Sequence, residues 1–269
     1  MALKRLVANI FDVDVTPLDR LGHDPSVVSF GWWREGELVA NVSLYRQSLV
    51  LMGERVDAFG VQSVATRPAW RRRGLFRDLM TRALAHADAR CPLVLLTTGT
   101  PALYRPLGFR TIVETAFAGP FEPHGCPPSF RRLSLASDAD LALVLDLFRR
   151  RTPVSDICAA TDHPALFLLK AATQETIALV HLPSLDAVVA VETPEPDVLV
   201  LRDVVAPAIP PLAAIAAALG GSATRARLML TPDKLGWTPT ETTQATSGWM
   251  ARGPYAPEGQ PIMLTTMHI

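Results

Sequence analysis

Residues 62–79 read QSVATRPAWRRRGLFRDL, and the fold turns on how this stretch is parsed. It begins as apolar strand, with Val64 and Ala65 ahead of Thr66. It then turns through Arg71, Arg72, Arg73 and Gly74 and opens a helix over 74–89. Leu75, Phe76, Leu79, Met80, Ala83, Leu84 and Ala87 recur every three or four residues, the spacing of one buried helix face. The first N–H groups of a helix have no partner within it. With the positive end of the helix dipole they form a place for an anion. Gly74 allows a ligand to approach the backbone, and arginine offers donors suited to phosphate oxygens. Taken alone, Arg-Arg-Arg-Gly fits an ordinary solvated turn. Its position between an apolar strand and an amphipathic helix favours a binding role. The phosphate motifs GxxxxGK[ST] and GxGxxG after a strand do not occur.

Working outward, residues 28–33 and 38–45 read as strands joined by the turn Arg34-Glu35-Gly36-Glu37. Further strand material covers 49–52 and 56–66. Residues 93–97 are a short apolar run that suits a strand buried on both faces. A short helix over 101–107 stops at Gly108, and a strand follows over 110–118. Short helices over 3–11 and 17–21 precede all of this. Residues 122–129, EPHGCPPS, read as a linker. Beyond it the order of elements recurs. Helices fit 138–150 and 163–172, with Ser137 as an N-cap. Strands fit 176–182, 187–192 and 198–205, a helix 211–219, and strands 226–230, 249–252 and 262–267. Residues 107–115 (LGFRTIVET) resemble 235–242 (LGWTPTET), and 63–66 (SVAT) resemble 204–207 (VVAP). These likenesses predict a duplication, with two α/β domains over 1–121 and 130–269.

Composition narrows the function. Of 269 residues 49% are hydrophobic and 19% charged, which excludes a disordered chain. The 26 basic and 26 acidic residues balance, so no nucleic-acid partner is expected. The most apolar run, 204–219, carries Pro207, Pro210 and Pro211 and is shorter than the roughly 20 residues of a spanning helix, so no membrane partner is expected either. Cys91, Cys126 and Cys158 stand apart with no CxxC, which suits a reducing cytoplasm. The opening MALKRLVANIFDVDV lacks the pattern of a secretory signal. The histidines make no metal spacing, so no metal is expected. The sequence assigns no oligomeric state.

With these residues in place, the chain resembles the GCN5-related N-acetyltransferase (GNAT) family. That family's main motif, [RQ]-x-x-G-x-[GA] between a strand and a helix, stands here as Arg71-Arg72-Arg73-Gly74-Leu75-Phe76. The approach Val64-Ala65-Thr66-Arg67-Pro68 and the segment Leu103-Tyr104-Arg105-Pro106-Leu107-Gly108-Phe109 are also similar to the family. Phe76 departs from the usual small residue, and bulky residues there are familiar in the Eis-type branch. That branch has tandem acetyltransferase-like domains, and usually a further sterol-carrier-like domain for which this chain has no length to spare. The resemblance covers about residues 25–120 well and the rest by element order. It implies an α/β fold of two tandem acetyltransferase-like mixed-sheet domains. The first would be the acetyl-CoA-binding catalytic domain and the second degenerate.

The resemblance also implies a site. Acetyl-CoA would lie against Val64, Ala65 and Thr66, with its pyrophosphate at the amides of Arg72, Arg73, Gly74, Leu75 and Phe76 beside Arg71. The strand would diverge from its neighbour and leave an N–H near Val64 for the thioester carbonyl. Tyr104 would pass a proton to the departing thiolate. A primary amine, small-molecule or peptidyl, would attack directly in a ternary complex. The alternative is a non-catalytic acyl-CoA-binding sensor that keeps the arginine turn without an acceptor site. The general base has four candidates, Asp12, Asp14, Glu54 and Asp57, each equally well a surface charge. By resemblance the terminal carboxylate of Ile269 is another, and His268 gains interest only with that tail. His86 reads as facing the polar side of its helix. Trp32 and Trp33 read as core or cleft lining. Arg149, Arg150 and Arg151 close a helix whose dipole explains them.

Overall fold

The computed structural model describes residues 2–125, 127–161, 163–195, 197–245 and 248–268. In chain order come α1 (Ala2–Phe11), α2 (Leu18–Leu21), β1 (Val28–Arg34), β2 (Glu37–Leu51), β3 (Glu54–Thr66), α3 (Leu75–Asp88) and β4 (Leu93–Thr97). Next are β5 (Arg110–Thr111), β6 (Glu114–Pro120), β7 (Arg131–Arg132), α4 (Asp138–Arg150), β8 (Cys158–Ala160) and α5 (Ala165–Thr173). Then come β9 (Ala178–Leu182), β10 (Ala187–Glu195), β11 (Val198–Val205), α6 (Leu212–Leu219), β12 (Arg225–Leu228), β13 (Glu241–Ala245) and β14 (Trp249–Arg252). They form two compact units. One comprises Met1–Ser48, Val56–Ile112 and Gly248–Tyr255, the other Leu49–Arg55, Val113–Ser247 and Ala256–Ile269.

In the first unit the strand order is β1-β2-β3-β4-β14-β5. β1 runs antiparallel to β2, from Val28 opposite Leu44 to Arg34 opposite Glu37. β3 and β4 are parallel, which requires a crossover, and α3 supplies it. The two periodicities meet in the core. Alternate strand residues Ala40, Val42, Leu44, Phe59, Val94 and Leu96 pack against Leu79, Met80, Ala83 and Leu84 of α3.

The strand expected over 249–252 forms, but in this first sheet, antiparallel to β4 and to β5. Its Met250 joins the α3 core. The strand expected over 110–118 is divided. β5 stays in the first unit, where the Ile112 N–H donates to the Trp249 carbonyl at 2.9 Å, and β6 belongs to the second. The stretch expected as a linker lies within the second unit, with Cys126 outside the described residues.

The second unit holds a seven-stranded sheet, β13-β6-β12-β11-β10-β9-β7. β10 is antiparallel to β9 and β11, and β11 is parallel to β12 with α6 as the crossover. Leu182, Val189, Leu201 and Leu228 are fully buried there with Ile215 of α6. Ser137 caps α4 as expected, its Oγ accepting from the Asp140 N–H at 3.4 Å. β7, β8 and β13 were not legible: two are only two or three residues long, and β13 is almost wholly exposed, with no alternation to reveal it. The strand expected over 262–267 is corrected. That segment is irregular chain ending in a 3-10 turn, Thr266–His268. Its N–H groups bond to side chains: Leu264 to Glu114 Oε1 at 2.8 Å and Met263 to Thr231 Oγ1 at 2.9 Å. The fold is therefore the expected α/β class, with two mixed sheets. No helix among the described residues is long and apolar enough to cross a membrane.

Candidate active site

The site grows from the end of β3. Its parallel register with β4 pairs Ala58 with Leu93, Phe59 with Val94 and Gly60 with Leu95, and stops there. β3 itself continues to Thr66. The Arg67 N–H donates to the Val39 carbonyl of β2 at 2.9 Å. Peptide groups alternate in direction along a strand, so Ala65 faces β2 and Val64 and Thr66 face the side that β4 has left. Ser63 stands at φ 53°, a left-handed conformation rare for a side-chain-bearing residue. Its carbonyl accepts from Asn41 Nδ2 at 2.9 Å.

The turn into α3 reverses hand twice. Arg71 is extended, Arg72 has φ 59°, and Gly74 has φ 80° as the residue before the helix. Peptides turned in this way present their N–H groups as a concave anion nest. A side chain on Gly74 would meet nothing within 4 Å, so the space above the turn is open. Arg71 Nε donates to the Thr66 carbonyl at 3.3 Å, and the Arg73 guanidinium lies 4.6 Å from the Trp70 ring centre. Two of the three arginines are thereby held to the turn they serve. Leu75 and Phe76 are half-buried against the core. The Phe76 ring meets Tyr104 edge-on at 5.5 Å, which takes its bulk to the core.

Tyr104 lies between two short 3-10 turns, Pro101–Leu103 and Arg105–Leu107. It is buried, with Phe109 at 6.0 Å on another side. Burial penalises the phenolate and pushes the phenol up to about 12. The hydroxyl therefore keeps its proton at any ordinary working pH. The loop is fixed from far along the chain. Arg252 Nε donates to the Leu107 carbonyl at 3.1 Å, and its guanidinium pairs with Asp88 at the end of α3.

The remaining candidates fall elsewhere. The Trp32 indole donates to Asp78 Oδ2 at 2.8 Å and packs against the core, while Trp33 is exposed. His86 is partly buried rather than fully on the polar face. It sits edge-on between Phe30 and Phe59 at 5.8 and 5.9 Å, and burial lowers its pKa. Asp14 is a turn residue, its carboxylate held low by the Thr16 hydroxyl and N–H, both at 2.8 Å. Asp12, Glu54 and Asp57 are exposed. Ile269 lies outside the described residues. His268 is buried in the second unit, its Nε2 3.2 Å from Asp203 Oδ2. No cluster among the described residues has the makings of a metal site. Sequence reasoning missed Asn41, Ser63 and Arg252. A polar residue inside the apolar run LVANVSLY was the available signal for Asn41, and nothing local marked Arg252.

Residues 5–112 match the family model of the acetyltransferase (GNAT) domain. That stretch of the chain is similar to the GNAT acetyltransferase domain. Solved structures agree on the fold over most of the chain. Eis1 from Mycobacterium abscessus is 20% identical with a TM-score of 0.57, over 87% of this chain and 65% of its own. A GCN5-related N-acetyltransferase from Kribbella flavida is 20% identical with a TM-score of 0.57, over 95% and 69%. One from Anabaena variabilis is 16% identical with a TM-score of 0.60, over 93% and 69%. The chain thus spans about two thirds of the length of these structures. No curated protein matches it.

Proposed function

We propose that the first unit binds acetyl-CoA and transfers its acetyl group to a primary amine, small-molecule or peptidyl, within a ternary complex. The observation that carries this reading is the end of β3–β4 pairing at Gly60 and Leu95, succeeded by a left-handed turn with open space above Gly74. The residues fit the cosubstrate. The amides from Arg72 to Phe76 suit a pyrophosphate, with Arg71 and Arg73 adding charge. The Val64, Ala65 and Thr66 backbone suits the acyl arm. An N–H aimed at the carbonyl stabilises the negative charge that grows there. The amine nitrogen bonds to the carbonyl carbon and the carbon–sulfur bond breaks. Tyr104 gives its proton to the leaving sulfur, and the surplus proton of the amine returns to the phenolate through water. Holding both reactants together supplies much of the rate.

In this reading residues 1–121 hold the catalytic machinery, with β14 completing their sheet, and the rest of 130–269 is a degenerate copy that binds no cosubstrate. The scattered cysteines favour a cytoplasmic setting. The test is release of CoA thiol from acetyl-CoA across a panel of aminoglycosides, polyamines, amino acids and peptides. Turnover with one class establishes the reaction. Binding of acetyl-CoA without turnover on any amine would favour the sensor reading.

A further inference from the structure

The geometry points to Asn41 as a positioning residue for acetyl transfer: its side-chain amide holds the Ser63 carbonyl and thereby aims the Val64 N–H into the gap beside β3. This rests on the reading of that gap as the acyl site. A trans peptide sets its carbonyl and its N–H in opposite directions. Asn41 stands on β2, and its Nδ2 donates to the Ser63 carbonyl at 2.9 Å. The Val64 N–H is therefore turned away from β2, to the side where pairing with β4 has ended. Ser63 occupies its left-handed conformation against the crowding of its own Cβ, so an outside contact must favour it.

Asn41 is suited to that task. It is 1% exposed, and a buried amide keeps its hydrogen bonds because no water can replace them. The other Nδ2 hydrogen goes to Ser43 Oγ at 2.9 Å, and Ser43 Oγ is paired with Ser29 Oγ at 2.8 Å. Rotation of the amide would break two bonds of a buried chain. Such a network specifies one arrangement when every member is satisfied. An apolar residue at position 41 would fill the space and leave the Ser63 peptide without this hold.

The test uses the full chain and two probes, CoA and acetyl-CoA, which differ only in the acyl group. Asn41→Asp keeps the shape and removes the donor. CoA affinity should stay within about threefold, because anion contacts lie at the helix start. Acetyl-CoA should lose its preference over CoA. With an amine from the panel, kcat should fall about 10- to 10³-fold, the scale of a misaimed oxyanion donor. Adding Ser63→Gly should restore at least about threefold of that loss, because glycine takes positive φ freely. Should Asn41→Asp fail to fold, Asn41→Ser is read in the same way, with CoA affinity as the check on folding. Unchanged kcat and unchanged preference would overturn the assignment. So would equal weakening of CoA and acetyl-CoA, the mark of a merely structural residue. A wild type that binds neither probe overturns the acetyl-CoA reading itself.

Discussion

β3 and β11 are built alike. Each stands beside the strand that precedes it and parallel to a later strand reached through a helix. Each outruns its parallel partner. Pairing ends at Gly60 and Leu95 in the first unit and at Leu201 and Leu228 in the second, while the strands continue to Thr66 and Val205. The turns beyond the two strands differ. After β11 the turn reads Ala206-Pro207-Ala208-Ile209-Pro210-Pro211, where three prolines remove N–H donors. The Leu212 N–H that opens α6 already donates to the Leu235 carbonyl at 2.8 Å. The C-terminal segment occupies the side of the strand: Thr265 Oγ1 donates to the Arg202 carbonyl at 2.7 Å, and His268 lies against Asp203. The fold makes the gap twice, and the two turns beyond it differ in the charge and the N–H donors they offer.

Four experiments sharpen or break that contrast. The largest effect is expected for Tyr104→Phe, which should lower kcat by about 10²–10⁴ with the acetyl-CoA dissociation constant nearly unchanged. Because burial raises the phenol to about 12, its neutral form is complete well below that value, and the deficit should be flat over roughly pH 6–9. A variant with near-normal kcat returns Tyr104 to packing alone.

Next comes charge reversal of the turn. Acetyl-CoA at about 100 times its dissociation constant should stabilise the wild type by roughly 2.7 kcal/mol, and Arg71→Glu with Arg73→Glu should abolish the shift. Calorimetry should count one site per chain. A count of two would mean that the proline turn binds after all.

Arg252→Ala should cost about 1.5–3 kcal/mol through its charged hydrogen bonds to Leu107 and Asp88, lowering the melting temperature by several degrees. It should also reduce kcat, since the Tyr104 loop loses its hold. A stable variant with unchanged kcat would show that the loop is held without Arg252.

The smallest effect belongs to the second unit. Thr265→Val should cost about 1 kcal/mol and leave acetyl-CoA binding untouched. A new second binding site in that variant would show the C-terminal segment to be a plug rather than part of a core.

Legibility tracked the range of the interactions. α3 announced itself because seven apolar residues share one face, and the arginine turn because Arg and Gly sit in adjacent positions. Tyr104 was legible as a candidate from its neighbours Pro106, Gly108 and Phe109. His86 is more enclosed than its helix position suggests, because helix periodicity does not foresee the two phenylalanines that pack edge-on against it. β14 was read as a strand but not as a member of the first sheet. Three apolar residues and an arginine carry no record of which edge they pair with.

By itself the sequence determined the α/β class, the glycine-bearing turn between strand and helix, and the contrast between an arginine turn and a proline turn. These rest on residues within a few positions of one another, where sterics and hydrogen-bonding capacity act locally. Tertiary structure alone decided that β14 joins β4 and β5, that Arg252 clamps the loop of Tyr104 from 145 residues away, and that Asn41 reaches Ser63 across the sheet. Those contacts join distant parts of the chain, and only the closing of the sheet brings them within bonding distance.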